Sequence, residues 1–244
     1  MVTSIEKGIR VPSVTFRNRA NGEWKNRSTA ELFAGQRVVV FSLPGAFTPT
    51  CSSSHLPRYE ELAPLFFEAG IDRILCVSVN DGFVMEAWAQ DQNLQHVEVI
   101  ADGNGDFTEG MGMLVDKSDL GFGKRSWRYA MLVDDGLVSQ IFVEPDQPGD
   151  PFEVSDADTM LNFIAPNAKR PPEISLFTKV GCPFCAKAKA MLDARGYTYE
   201  EIVIGGSLSN KSLRTITGQE TVPQIYIDGT HINGSEALDR YFNP

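Results

Sequence analysis

Residues Ala165 to Pro172 read A-P-N-A-K-R-P-P, and this run more than any other limits what the chain can become. Three prolines in eight residues cannot extend a helix, and they bring no amide donors to a sheet ladder. The run predicts a linker, semi-rigid where Pro171 and Pro172 adjoin. The 244 residues then fall into a first domain over 1–165, a linker over 166–172 and a second domain over 173–244. A chain of this length is better served by two cores than by one.

Both flanks alternate strand and helix patterns. In the first, the valine-rich run 37–43 predicts a buried strand, with a turn over 44–49 and a helix over 50–69 stopped by Gly70. Pro57 should kink that helix or break its first turn. A strand over 74–79, a helix over 83–92 and a strand over 97–101 follow. A hairpin is expected from 128–133 and 136–143 across Asp134-Asp135-Gly136, and a helix over 154–164 closes the flank. The second flank predicts a strand over 173–178, a helix over 183–194, a strand over 199–203 and a helix over 208–216. A hairpin over 224–227 and 231–233 and a helix over 236–242 complete it. The class is α/β, with two mixed sheets in tandem, each flanked by helices.

The formal net charge of −10 disfavours phosphate backbones and anionic leaflets, so neither nucleic acid nor membrane is an expected partner. No apolar run approaches the ~20 residues of a membrane span, and residues 1–12 lack a signal-peptide apolar region. A cytoplasmic location is the expectation. The four cysteines (Cys51, Cys76, Cys182 and Cys185) are too few to staple so long a chain. Their placement is that of cysteines kept for chemistry in a reducing compartment.

Cys182-Pro183-Phe184-Cys185 opens a helix directly after a strand. At a helix N-terminus the free amides and the positive end of the dipole favour thiolate over thiol, and Lys179 adds positive charge nearby. Cys185 lies one turn further on and can form a disulfide with Cys182. A zinc reading needs four ligands, and His231 is a single distant candidate, so no metal is expected. Thr221-Val222-Pro223 precedes a strand, where a proline fits best after a cis peptide bond, and that would present the Val222 backbone to an extended peptide. Asn233-Gly234-Ser235-Glu236 turns into the last helix, and its amides with the Ser235 hydroxyl suit a carboxylate. The order K-x-G-C-P-F-C, T-V-P-Q-I-Y-I-D-G and N-G-S-E resembles the glutaredoxin family over all of 173–244. The resemblance implies a thioredoxin-like fold that binds glutathione, with Cys182 as nucleophile. Lys179 and Arg214 would meet the carboxylates of glutathione. Val222, between Thr221 and Pro223, would pair with its cysteinyl backbone, and Ser235 and Glu236 would hold its γ-glutamyl end. Two departures stand out: Phe184 replaces the usual Tyr, and Asn233 precedes Gly234 where a second Gly is usual.

In the first flank, Pro44-Gly-Ala-Phe-Thr-Pro-Thr-Cys51-Ser joins a strand to a helix, so Cys51 falls in a first helical turn and the same thiolate argument applies. The Thr48 hydroxyl is within reach of the sulfur or a bound oxygen, and Pro44 turns the chain over it. Reduction of an O–O bond by a thiolate needs positive charge and donors aimed at the departing oxygen. Arg128, leading directly into an apolar strand, is the candidate for that charge. Cys76, in the apolar run 74–79, reads as core. His55, four residues after Cys51, is either a base or support for the site, or a packed and hydrogen-bonded core histidine.

The stretch P-G-A-F-T-P-T-C-S resembles the peroxiredoxin signature P-x-x-x-T-x-x-C, in its peroxiredoxin-five form, and L-C-V-S-V-N-D-G-F-V-M and R-Y-A-M-L-V-D-D-G agree with it. Over about 12–164 the resemblance implies Cys51 as the peroxide-attacking cysteine, with Pro44, Thr48 and Arg128 as partners, and pairing of chains as a homodimer or higher homo-oligomer. Some relatives carry a resolving cysteine after the E-P-D turn, and here none follows Glu144-Pro145-Asp146. Together the two resemblances imply a peroxidase acting on hydrogen peroxide and alkyl hydroperoxides. Glutathione would be its reducing co-substrate, Cys182 would regenerate Cys51, and no cofactor would be tightly bound. The alternatives are a general glutathione-dependent disulfide reductase and a peroxide-sensing redox switch.

Overall fold

The computed structural model describes residues 7–147, 149–206 and 208–243. The chain divides into two compact units, and the boundary falls after Ala168, within the proline-bearing run.

The first unit runs β1 (Thr15–Ala20), β2 (Glu23–Ser28), α1 (Thr29–Phe33), β3 (Arg37–Ser42), a π-helical turn (Cys51–His55), α2 (Leu56–Glu68), β4 (Arg73–Ser78), α3 (Gly82–Asp91), β5 (Val97–Ala101), α4 (Asp106–Gly110), β6 (Leu114–Asp116), β7 (Lys124–Ser126), β8 (Tyr129–Asp134), β9 (Leu137–Val143) and α5 (Ala157–Ile164). Five strands form the central sheet in the order β5-β4-β3-β8-β9. The pairs β3–β4 and β4–β5 are parallel, and β8 and β9 add an antiparallel hairpin. The run V-V-V-F is buried on both faces, which is why it reads as continuous rather than alternating. Val39 and Phe41 pack with residues of α2 and α5, among them Tyr59 and Met160. Val38 and Val40 face the opposite layer, with Leu32 and Phe33 of α1 and Phe107 of α4.

The helix expected over 50–69 is interrupted. Pro57 has no N–H to return to residue 53, so the α ladder cannot pass through it. The chain takes a wide turn instead, in which the amide of Leu56 donates to Cys51 O, five residues back. The helix expected over 154–164 begins three residues later. Asp156 is its N-cap, accepting from the amide of Thr159 at 2.9 Å, while the amides of 153–155 turn to Glu144. The β1–β2 hairpin and the segment from α4 to β7 were not among the expected elements.

The second unit runs β10 (Ile174–Thr178), α6 (Pro183–Asp193), β11 (Glu200–Val203), α7 (Asn210–Thr217), β12 (Gln224–Ile227), β13 (Thr230–Asn233) and α8 (Ser235–Phe242). Its sheet has the order β11-β10-β12-β13, with β10–β11 parallel and the β12–β13 hairpin antiparallel. Leu176, Ile225 and Ile227 pack on one face with Leu192 of α6 and Leu238 of α8. Phe177 packs on the other with Leu213 of α7. Both units therefore place parallel strands beside an antiparallel hairpin and cover the sheet with helices, the thioredoxin-like arrangement. Among the described residues no helix is long and apolar enough to cross a membrane.

Candidate active sites

In the first unit the segment after β3 carries the chain to Cys51. Thr48 Oγ1 donates to Gly45 O at 2.8 Å, and the amide of Ser52 donates to Thr48 O at 3.0 Å, which starts the helical turn one residue after Pro44-Gly-Ala-Phe-Thr closes. Pro44 is buried at the end of β3 and Thr48 is half-buried. Cys51 itself is fully buried among Phe41, Leu56 and Trp88.

One charged side chain reaches the sulfur and a second side chain holds it in place. Arg128 Nη2 lies 3.6 Å from Cys51 Sγ. Arg128 Nη1 lies 3.0 Å from His55 Nδ1, and His55 Nε2 lies 3.1 Å from Ser155 O. A guanidinium only donates and a carbonyl only accepts, so His55 is the neutral tautomer with its proton on Nε2. Burial and then Arg128 lower its pKa to about 3, so it is no proton acceptor in neutral solution. Of the two functional roles considered for His55, the base is excluded by this geometry: its free lone pair is already taken by Arg128.

Arg128 is deeply buried and its Nη2 also donates to Asp150, at 2.5 Å to Oδ1 and 2.6 Å to Oδ2. The Phe152 ring lies 5.4 Å from its Cζ. Burial works against its charge, but Asp150 and then Cys51 more than offset this, and the net shift is upward. Asp150 was not singled out by sequence reading, since nothing in Pro148-Gly149-Asp150-Pro151 marks that acid as different from its neighbours. Cys76 lies in β4, opposite Phe41 in register and fully buried, as expected of a core residue. Burial and then Cys51 push its thiol well up.

In the second unit Cys182 is the N-cap of α6. Its sulfur accepts from the amide of Cys185 at 3.3 Å and lies 3.7 Å from Val222 O, and the Val222–Pro223 peptide is cis. Burial raises the Cys182 thiol, but hydrogen bonds from Cys185 and from the Phe184 amide outweigh it and the net shift is downward. Burial and the bond to Cys182 raise Cys185 to about 11. The two cysteines are thus unequal, the outer one poised to ionise and the inner one held as a thiol.

A groove of about 460 Å³ brings together Phe184, Thr221, Val222, Pro223, Gly234, Ser235 and Glu236. Ser235 is buried and opens α8. Lys179 lines a separate groove, the one that Cys182 itself lines, with Lys189 and Glu201. Arg214 is an exposed α7 residue paired with Glu220 at 3.2 Å, and neither groove includes it. Arg240, which sequence reading missed, does line the first groove. Its spacing of four from Glu236 put both on one helical face, and that was the available signal.

A buried cysteine held by arginine in one thioredoxin-like unit, joined to a C-x-x-C helix N-terminus in another, defines a thiol-based oxidoreductase. The comparisons narrow the class. Residues 6–161 match the redoxin family model and residues 174–232 match the glutaredoxin model. The chain is 59% identical over 236 residues to the hybrid peroxiredoxin hyPrx5 of Haemophilus influenzae, covering 97% of this chain and 98% of that one. Peroxiredoxin sll1621 of Synechocystis is 51% identical, over 66% of this chain and 95% of its own. Reduced Prx3 of Vibrio vulnificus, solved in complex with hydrogen peroxide, superposes with a TM-score of 0.61 at 43% identity, over 66% of this chain and 96% of its own. The chain belongs to the redoxin family, as a hybrid peroxiredoxin with a fused glutaredoxin domain, and is a thiol peroxidase.

Proposed function

We propose that this peroxidase draws its electrons from glutathione, and that its second unit is the built-in reductase of its first. Cys51 thiolate attacks one oxygen of a hydroperoxide. The S–O bond forms as the O–O bond breaks, sulfur is oxidised by two electrons to sulfenic acid, and the departing alkoxide or hydroxide takes a proton. Arg128 is the cation and donor facing that charge, and His55 fixes the guanidinium from its far side. Glutathione then condenses with the sulfenic acid, releasing water and leaving a mixed disulfide on Cys51. Cys182 thiolate attacks the glutathione sulfur and frees Cys51, and a second glutathione frees Cys182 as glutathione disulfide leaves. Hydrogen peroxide and alkyl hydroperoxides are the substrates, and the cycle runs on cysteines and free thiol without a tightly held cofactor.

The observation that carries this reading is the groove beside Cys182. The Val222 backbone offers strand-like pairing to a peptide, and the N-terminus of α8 with Ser235 suits a carboxylate. Glu236 suits an ammonium group and Arg240 a second carboxylate. Cys76 is no alternative partner for Cys51, since it is fixed in the central sheet. The test is NADPH consumption with glutathione, glutathione reductase and hydrogen peroxide. Wild type should turn over, Cys51→Ser and Cys182→Ser should fail, and Cys185→Ser should keep a rate of the wild-type order, because one thiol suffices for deglutathionylation. Turnover by Cys182→Ser at the wild-type rate, or its loss in a folded Cys185→Ser variant, would overturn the scheme.

A further inference from the structure

Of the side chains linked by hydrogen bonds through Arg128 to Cys51, the one that meets solvent is a carboxylate. Cys51 and His55 are fully buried, the Arg128 side chain is 1% exposed, and that of Asp150 is 43% exposed. Asp150 and Cys51 share one nitrogen: Arg128 Nη2 lies 3.6 Å from the sulfur and 2.5 to 2.6 Å from both oxygens of Asp150. The segment that carries Asp150 is held on either side. Lys117 Nζ donates to Gly149 O at 3.4 Å, and Glu144 accepts the amides of 153–155. Arg128 Nε is buried and has no partner among the described residues, so the guanidinium keeps donor capacity that the resting protein does not use.

We infer that Asp150 is a charge filter for the Cys51 thiol, a carboxylate at the solvent end of the arginine that selects neutral reagents over anionic ones. The inference rests on Cys51 as the peroxide-reducing thiol. A neutral peroxide passes the carboxylate without Coulomb cost and meets Arg128 behind it. An anionic one meets like charge first. With unit charges about 7 Å apart and an effective dielectric constant of about 40 to 80, the penalty is a roughly three- to eightfold loss of rate. A change in the reactivity of the Cys51 thiol alone would shift every reagent alike. A filter shifts the anionic ones selectively.

The experiment uses the full chain and two pairs of probes that differ in charge. Iodoacetamide and iodoacetate alkylate Cys51 by displacing iodide, and mass spectrometry of the Cys51 peptide gives each rate relative to free cysteine. Linoleic acid hydroperoxide and its methyl ester oxidise Cys51 in a single turnover, followed by the fluorescence of Trp88, whose Nε1 donates to the neighbouring Ser52 Oγ at 3.0 Å. Asp150→Asn should raise the anionic-to-neutral rate ratio of the alkylation pair by about three- to eightfold and that of the hydroperoxide pair, whose carboxylate is many bonds from its O–O group, by less, and Asp150→Glu should leave both near wild type. Salt at about 1 M should raise the wild-type ratio towards that of the Asn variant. Equal ratios in wild type and Asp150→Asn would overturn the filter. A shift in the alkylation ratio, in a wild type that consumes no peroxide, would support the filter and count instead against the peroxidase reading.

Discussion

His55 presents Arg128 with a lone pair and Ser155 with a proton, and protonation would put a second cation against the guanidinium. Its pKa, lowered by burial and then by Arg128 to about 3, makes this a stability matter. The unfolded chain takes up a proton near pH 6.5 and the folded one does not. Stability is therefore complete above pH 6.5 and is lost as the pH falls towards 3, by up to about 5 kcal/mol. His55→Asn should lower stability at pH 7 by removing the fit, yet lack this acid sensitivity. The stability gap between wild type and variant should then close by about 2–3 kcal/mol between pH 7 and pH 4.5. Urea unfolding followed by tryptophan fluorescence reads this cleanly, because Trp24, Trp88 and Trp127 all lie in the first unit. A gap constant with pH would mean that His55 binds its proton equally in the folded and unfolded chain, and a gap that widened as the pH fell would mean that it is charged in the fold. At this scale the nearness of Cys51 and Arg128 followed from the sequence patterns. A cysteine opening a helix after a strand and an arginine leading an apolar strand are local patterns, and the structure places Cys51 and Arg128 in contact. Asp150 was not legible, because its role depends on a segment folding back onto a strand 22 residues earlier in sequence. Arg214 matched a family position by spacing, but its helix turns it to Glu220.

Among the elements, the entry to α5 depends on one side chain at the end of β9. Glu144 is buried and accepts four hydrogen bonds, from the amides of Glu153, Val154 and Ser155 and from Ser155 Oγ, at 2.7 to 3.0 Å. The carbonyl of Ser155 in turn accepts from His55 Nε2 and Tyr59 Oη. A charged acceptor with four donors around it has no good replacement. Glu144→Gln would turn an NH₂ group towards amides that also donate, and should cost about 3 kcal/mol in urea unfolding. Asp156→Ala, which removes only the N-cap of α5, should cost about 1 kcal/mol. Equal losses would show that the carboxylate is no more than a second cap. The E-P-D turn was visible in sequence, but the distance its glutamate reaches was not. The same limit explains the β1–β2 hairpin. Its strands carry Arg17, Arg19, Lys25 and Arg27, and only Phe16 and Asn18 are buried, so no apolar alternation marked it. Pro57 did announce the break before α2, since a missing N–H acts wherever the chain goes.

The whole molecule joins two units with separate cores, and on the proposed cycle what the joining contributes is kinetic. A sulfenic acid on Cys51 has two fates, reduction or further oxidation by a second peroxide, and the local supply of reductant decides between them. A short linker holds a tethered partner at a concentration of the order of millimolar, which free partners in dilute solution do not approach. The proline run that made two domains legible in the sequence thereby also sets that concentration, by keeping the spacer short and partly stiff. Separate polypeptides for 1–168 and 169–244 should each fold, since each unit packs its own sheet. Mixed at about 1 μM, they should turn over peroxide with glutathione on the order of a hundredfold more slowly than the intact chain. Raising the second polypeptide towards millimolar concentration should restore the rate. The readout is NADPH consumption at fixed glutathione, with circular dichroism of each piece as the folding control. An equal rate at 1 μM would mean that the tether contributes nothing, and an equal rate for the first polypeptide by itself that glutathione alone regenerates Cys51. In that last case the second unit would serve disulfides other than the one its neighbour forms.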